Sequence, residues 1–152
     1  MSEFDFGARS AREFRHRNFW TLFEERHPAE RSRRVRHGPW FWQRGLPAFN
    51  LVITMYVAPE QSVVGVFFGR NARLGAVDTK GRLQPFRAAI ESRLKLKPGQ
   101  SEPEFGVNAI WRVNCFADDN WPAMADWLVT EAGRFEQAVS EVLGPEGKIE
   151  PS

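Results

Sequence analysis

The sequence predicts an α+β domain in which three helices cover an antiparallel sheet of about four strands, in the order helix, three strands, helix, strand, helix. Two observations support this prediction. Several short segments alternate apolar and polar residues, which is typical of half-buried strands, and three longer segments repeat apolar residues every three to four positions, which is typical of helices. The short connections between the first three strands favour an antiparallel meander, because parallel neighbours need crossovers of a dozen or more residues.

Apolar stripes and end signals define the three helices. The first is predicted to run from Ser10, an N-cap residue, to His27, with Pro28 as its stop. The last is predicted to begin after the capping residues Asp118 to Asn120 and to end at Gly144, a length of about 33 Å at 1.5 Å per residue. The second helix lies between them and has its apolar face on Leu83, Phe86, Ile90 and Leu94.

The strands follow from alternation. We predict a short strand at Trp40 to Arg44, a longer one at Phe49 to Val57, and an interior strand, apolar on both faces, at Val63 to Phe68. The basic stretch Arg31 to His37 is predicted to be a solvated connection. The clearest strand is Phe105 to Cys115, with Trp111 on its core face opposite Trp127 and Phe135 of the last helix. Its mostly solvated face is expected to comprise Gly106, Asn108, Ile110, Arg112, Asn114 and Phe116.

Length and composition fit a single domain over residues 10–145, with flexible termini at 1–9 and 146–152. The 152 residues are 42% apolar and 26% charged, as in ordinary globular proteins. The lone Cys115 excludes an internal disulfide and, within an apolar strand, is predicted to be a buried, unreactive thiol. Since no stretch resembles a secretory signal or is long enough to span a bilayer, we predict a cytoplasmic protein with no membrane partner.

Charge is distributed unevenly along the chain. Residues 1–99 contain 18 Lys and Arg against 9 Asp and Glu, whereas residues 100–152 contain 3 against 10. This polarity bears on partners and association rather than on a reaction. Its densest basic part adjoins tryptophans, and arginines neutralise phosphates while aromatic rings stack on bases. The candidate nucleic-acid-binding residues are therefore Arg31, Arg33, Arg34, Arg36, Trp40, Trp42 and Arg44.

The sequence contains no catalytic, metal or cofactor motif that we recognise, which favours a non-enzymatic protein without a cofactor. Asp78-Thr79-Lys80 matches half of a metal-dependent nuclease site. It lies in a Gly-rich polar stretch with no carboxylate just upstream, which predicts a turn and helix cap rather than a nuclease. His16, His27 and His37 are too widely spaced for a zinc site.

Aromatic and apolar residues in several elements resemble those of a known family. They are Asn18-Phe19-Trp20, the strands Phe49 to Val57 and Val63 to Phe68, Ile90-Glu91, Trp121, Trp127-Leu128 and Phe135. On these residues the chain, over about Phe14 to Leu143, resembles family 4268 of the domains of unknown function. The resemblance implies a bacterial domain, often C-terminal to a nuclease-like region, with an accessory role in nucleic-acid metabolism or defence. The long Gly69 to Gly81 segment and the missing Leu-x-Trp after the second helix depart from the family pattern, and no catalytic residue carries over.

Two functions from different classes remain open. The first is a non-catalytic accessory domain whose basic surface, at Arg31 to Arg44, contacts nucleic acid. The second is a protein-interaction domain or homodimer, in which this basic part meets the acidic last helix, Asp118 to Glu146, of another molecule. A tryptophan-lined pocket for a small molecule is a third possibility, although no titratable pair indicates proton transfer or nucleophilic attack.

Overall fold

The computed structural model of the chain describes residues 18–69, 83–101 and 106–144. Its helices are α1 over residues 18–26, α2 (Ala29–Arg33), α3 (Arg87–Leu94) and α4 (Trp121–Leu143). Its strands are β1 (Arg34–His37), β2 (Phe41–Leu46), β3 (Leu51–Ala58), β4 (Val63–Gly69) and β5 (Asn108–Arg112). Short 3-10 turns lie at Pro59–Gln61, Gln84–Phe86 and Asp118–Asn120. Ser10, Phe105 and the predicted flexible termini lie outside the described residues.

The five strands form one antiparallel sheet in the order β1-β2-β3-β4-β5, which confirms the predicted α+β class. Each strand pairs with the next one along the chain. Alternation gives the sheet an inner face, which packs against the helices, and an outer face. The inner face carries Trp42, Arg44, Ile53, Met55 and Val66, and the outer face carries Phe41, Gln43, Thr54, Tyr56 and Phe67.

Helix α4 packs on the inner face and supplies much of the core. Leu128 and Phe135 are fully buried, and the Phe135 ring lies 5.3 Å from the ring of Phe68 in β4. The predicted core position of Phe135 is confirmed. Trp111 and Trp127, whose rings lie 5.9 Å apart, are only partly buried against that core. The helix ends one residue before Gly144, as its sequence predicts.

Strand β1 corrects the prediction of a solvated connection at Arg31 to His37. This stretch instead completes α2 and forms an edge strand whose four residues are all exposed. The strand exists because its backbone pairs with β2 through a hairpin, in which the Gly38 N–H donates to the Phe41 carbonyl at 2.9 Å. Arginines suit this place because charge on an edge strand discourages pairing with other sheets. Local periodicity does not reveal such tertiary pairing.

Other details of the strands also differ from the prediction. Strand β2 runs over Phe41–Leu46 rather than from Trp40 to Arg44, and β4 extends one residue further, to Gly69. Strand β3 begins at Leu51 because residues 47–50 form a turn, in which Asn50 adopts a left-handed φ of 55°. In the shorter β5, Asn108 and Ile110 are buried although the alternation placed them on a solvated face. The Ile110 N–H donates to the Gln100 carbonyl at 2.8 Å, so the preceding chain lies along this edge of the sheet.

Cys115 is buried, as predicted, and its surroundings favour the protonated thiol. Its Sγ donates to the carbonyls of Val113 at 3.4 Å and Val63 at 3.6 Å. Burial raises the pKa of the Cys115 thiol from its usual 9.0 to about 11, because desolvation disfavours the charged thiolate. A buried, protonated thiol is a poor nucleophile, so Cys115 serves packing rather than chemistry.

We expect Cys115 to make the folded protein less stable as the pH rises from about 9 towards 11. Over this interval the folded state keeps the thiol proton while the unfolded chain releases it. The contribution of the protonated thiol to the free energy of unfolding is therefore complete below pH 9, and it declines as the pH rises through the folded-state pKa. Urea unfolding of the wild type and of Cys115→Ala across this range measures the effect. The free energy of unfolding should fall more steeply with pH in the wild type, and equal slopes would contradict the raised pKa.

Candidate nucleic-acid interface

A bulge in β1 separates two arginines of the predicted basic cluster. The register with β2 shifts between Arg34 and Arg36, so two residues of β1 correspond to one step along β2. Residues i and i+2 of a regular strand share a face, whereas a one-residue irregularity places them on opposite faces. The Arg34 guanidinium accordingly lies over the ring of Trp42, 5.1 Å from its centroid, while the Arg36 guanidinium lies over Phe41 on the outer face, at 5.5 Å.

Arg36 lines an open cleft of about 760 Å³ on the outer face of the sheet. The cleft crosses β2, β3 and β4 and reaches the 3-10 turn at Pro59–Gln61. Its volume lies within the range of roughly 300–1,000 Å³ that is typical of ligand sites. The aromatic lining comprises Trp40, Phe41, Tyr56 and Phe67, and the polar lining includes Arg36, Gln43, Thr54, Glu60 and Gln61.

The register of three strands brings the aromatic rings of the cleft together. Phe41 is the cross-strand neighbour of Tyr56, and the Tyr56 ring lies 5.7 Å from that of Phe67. Tyr56 also lies opposite Gly65, where a Cβ would overlap its ring. The glycine therefore allows the ring to lie against the sheet while it lines the cleft. Trp40 lines the same cleft and is 38% exposed.

A hydrogen-bonded polar pair lies beside these rings. Nε2 of Gln43 donates to Oγ1 of Thr54 at 3.2 Å, and Thr54 is itself buried opposite Phe67. A Cβ at Gly69 would overlap the Thr54 hydroxyl and lie 3.4 Å from Nε2 of Gln43. Glycine at this position therefore leaves room for the pair, which places an anchored carboxamide among the aromatic rings.

Burial removes two of the predicted contact residues from the surface. Trp42 is 1% exposed and Arg44 is 3% exposed, both on the inner face of β2. The Arg44 guanidinium donates to both carboxylate oxygens of Glu30, through Nε at 3.0 Å and through Nη2, and to Oε1 of Glu136 at 3.2 Å. This corrects the prediction for Trp42 and Arg44, because strand alternation turns every second residue of β2 towards the helices.

The other five predicted residues are available at the surface to different degrees. Arg31 and Arg33 each pair with a glutamate, at N–O distances of 3.4 Å and 2.6 Å. Within the described part of the chain, Arg34 and Arg36 have aromatic rings rather than carboxylates as partners. Arg36 and Trp40 are the members of the predicted set that line the cleft. Nucleic-acid contact by these five residues stays a prediction.

The acidic last helix pairs with basic residues of its own chain. Oδ2 of Asp126 accepts from Nη2 of Arg26 at 2.6 Å, and its Oδ1 lies 2.8 Å from Nε2 of His27. The hydrogen bond from Arg26, assisted by His27, holds the pKa of the Asp126 carboxyl below its usual value. Glu136 and Glu141 of the same helix also form ion pairs with arginines. Three acidic residues of this helix are therefore compensated by basic residues of the same chain.

No metal site is visible in the described ranges, which contain no group of three or more His, Cys, Asp or Glu side chains placed to hold an ion. Of the helices in these ranges, none is long and apolar enough to cross a membrane. Asp78-Thr79-Lys80 and His16 lie outside the described residues. The interpretation of the triplet as a turn rather than a nuclease site therefore stays a prediction.

Comparison with known proteins gives no match to a protein-family model, to a curated protein or to a solved structure. The resemblance to family 4268 therefore stays a hypothesis.

Sequence reasoning missed most of the cleft. The alternation of β3 places Thr54 and Tyr56 on one face, but their neighbours Phe41 and Phe67 come from other strands. The position of Gln43 two residues after Phe41 was a further local signal, because both residues share a face of β2. The cross-strand register of β2, β3 and β4 is needed to show that these residues lie next to one another on one face of the sheet.

Proposed function

We propose that this domain is a non-catalytic module that binds single-stranded nucleic acid across the outer face of its sheet. One observation supports this above the others: Arg36, whose guanidinium among the described residues lies on the Phe41 ring rather than on a carboxylate, adjoins several aromatic rings in one open cleft. That juxtaposition combines a phosphate-binding group with base-stacking surfaces. An accessory role in bacterial nucleic-acid metabolism or defence, implied by the family resemblance, is part of the same proposal.

The aromatic rings favour unpaired bases over a duplex. In a duplex the faces of the bases are covered by their neighbours, whereas in a single strand they are free to stack on protein rings. Phe41, Tyr56 and Phe67 lie on three adjacent strands, which are spaced by roughly 4.8 Å each. Sheet aromatics in such an arrangement stack two or three successive bases in RNA-binding domains.

The position of Arg36 supports one direction for the nucleic acid. Arg36 lies on the β1 side of the cleft, and its guanidinium can donate two parallel hydrogen bonds to a phosphate. We therefore propose that the sugar-phosphate backbone runs along the β1 edge and that the bases are directed over the sheet.

The alternative, self-association through the basic part and the acidic helix, lacks a comparable observation. Asp126, Glu136 and Glu141 are engaged by arginines of their own chain, and such pairs would have to open before a partner could use them. Part of the acidic helix that suggested this function is therefore engaged within its own chain.

We expect a labelled single-stranded oligonucleotide of about twelve nucleotides to bind at low salt, with an affinity that falls steeply as salt rises. Arg36→Ala should weaken binding several-fold and lower the slope of log affinity against log salt by about one. The proposed interface does not include Arg31, which pairs with Glu24 outside the cleft. Arg31→Ala removes the same charge and should leave the affinity almost unchanged. Fluorescence anisotropy titrations at several salt concentrations measure both quantities.

Replacing a ring tests the stacking part of the proposal. Tyr56→Leu should weaken binding by about 5- to 150-fold, because stacking of a base on an aromatic ring contributes roughly 1–3 kcal/mol. Its salt slope should match that of the wild type, since no charge is removed, and thermal unfolding checks that the variant is folded. No binding at low salt, or equal losses in Arg31→Ala and Arg36→Ala, would refute the proposed function.

A further inference from the structure

We propose further that the Gln43 carboxamide recognises the edge of a base in the cleft and selects adenine. This inference rests on the proposed function, because it requires that bases enter the cleft. It depends, however, on a separate observation. A hydrogen bond to Thr54 anchors the Gln43 side chain and leaves the remaining polar groups of its carboxamide available to a base.

The anchoring hydrogen bond uses one of the two Nε2 hydrogens of Gln43. Its acceptor, Oγ1 of Thr54, belongs to a residue that is only 4% exposed, so the sheet holds it in place. A side-chain amide has a second N–H and a carbonyl oxygen. Neither group forms a hydrogen bond with the residues that the structure describes, although Gln43 lines the open cleft. Gln43 therefore offers an incoming base one donor and one acceptor.

The strand geometry places these two groups at the edge of a stacked base. Phe41 and Gln43 are residues i and i+2 on the outer face of β2, roughly 7 Å apart along the strand. That spacing is comparable to the width of a base. A base stacked on the ring of Tyr56, the cross-strand neighbour of Phe41, therefore extends its edge towards the carboxamide.

Adenine matches one donor and one acceptor on both of its accessible edges. Its exocyclic amine donates beside the ring acceptor N7 on one edge and beside the ring acceptor N1 on the other. Guanine presents two acceptors on the N7 side, and thymine presents a methyl group beside a single acceptor. The other bases thus match the carboxamide on their Watson–Crick edge alone. Because adenine can bind in either orientation, and purines offer the larger stacking surface, Gln43 favours adenine.

The test uses oligonucleotides of abasic units that carry one central base: adenine, cytosine, guanine, thymine, or unsubstituted purine, which lacks the exocyclic amine. The wild type should bind the adenine probe about five- to ten-fold more tightly than the purine probe, the effect of the one hydrogen bond from the exocyclic amine. Gln43→Ala should abolish this difference and keep the salt slope. Gln137→Ala, which truncates an exposed glutamine of α4 outside the cleft, should retain the difference.

Each outcome separates this inference from the proposed function. Equal binding of the five probes by the wild type would overturn adenine selection while the stacking proposal stands. Retention of the adenine preference in Gln43→Ala would assign the selection to another group and also overturn the inference. Absence of binding by every probe and by the full oligonucleotide would overturn both. Gln43→Leu, which keeps most of the side-chain volume, guards against a loss of folding in the alanine variant.

Discussion

Arg44→Ala is expected to lower the free energy of unfolding by about 3–5 kcal/mol, the effect of removing one partner from a buried ion pair. Arg44 and Glu30 are 3% and 5% exposed, and the guanidinium binds both oxygens of the Glu30 carboxylate. Without Arg44, the buried Glu30 carboxylate would lose both its hydrogen-bond donors and its counter-charge. Because Arg44 also binds Glu136, the cluster joins β2 to α2 and to α4. Urea unfolding of the two proteins measures the loss.

Two further variants separate the buried ion pair from a general effect of charge. Arg31→Ala removes the same group from an exposed pair, in which the arginine side chain is 75% exposed, and should cost less than about 1 kcal/mol. The double variant Glu30→Met with Arg44→Met should be more stable than Arg44→Ala, because an apolar replacement leaves no unpaired buried charge. If Arg44→Ala proved as stable as Arg31→Ala, Arg44 would not lie in a buried pair.

Arg44 also shows which information the sequence lacks. In the sequence, Arg44 belongs to a run of arginines and tryptophans. The composition of that run is typical of a nucleic-acid-binding surface. Its carboxylate partners lie 14 and 92 residues away along the chain. Alternation predicts that Trp42 and Arg44 share a face of β2, but the packing of the helices decides that this face is the inner one.

The elements that could be predicted are those with a periodic pattern of their own. The stripe of α4 and its Gly144 stop give its bounds almost to the residue, and β4 differs from its prediction by a single residue at its end. Strand β1 has no such pattern, because its four residues are exposed and three of them are basic. Strand β1 is held by hydrogen bonds to β2, and the residue pattern of a short sequence segment does not predict such pairing with another strand.

The bulge in β1 explains why the basic cluster divides between two roles. It turns Arg34 to the inner-face Trp42 and Arg36 to the outer-face Phe41, so neighbouring arginines of one strand act on opposite sides of the sheet. Arg34 then covers the edge of the aromatic core. Arg36 lines the cleft. The sequence spacing of Arg34 and Arg36 could not predict this division, since a regular strand would place both side chains on the same face of the sheet.

Trp42→Ala is the second substitution with a large expected effect, a loss of about 3–5 kcal/mol in the free energy of unfolding. The side chain is 1% exposed, and its ring centroid lies 5.1 Å from that of Phe23 and 6.1 Å from that of Trp20. Truncation would leave a cavity between β2 and α1 and would remove the ring on which Arg34 rests. Trp42→Phe should cost less, because it keeps a ring and removes an indole N–H that has no hydrogen-bond partner within the described residues.

Trp40, two positions earlier, is the matched control for Trp42. It is 38% exposed and lines the cleft, so Trp40→Ala should change the free energy of unfolding by less than about 1 kcal/mol and should weaken oligonucleotide binding. Urea unfolding and anisotropy titration of both variants therefore give opposite profiles: Trp42→Ala loses stability, and Trp40→Ala loses binding. A stable Trp42→Ala protein with impaired binding would instead place Trp42 on the surface. That result would reverse the assignment of inner and outer faces on which the cleft depends.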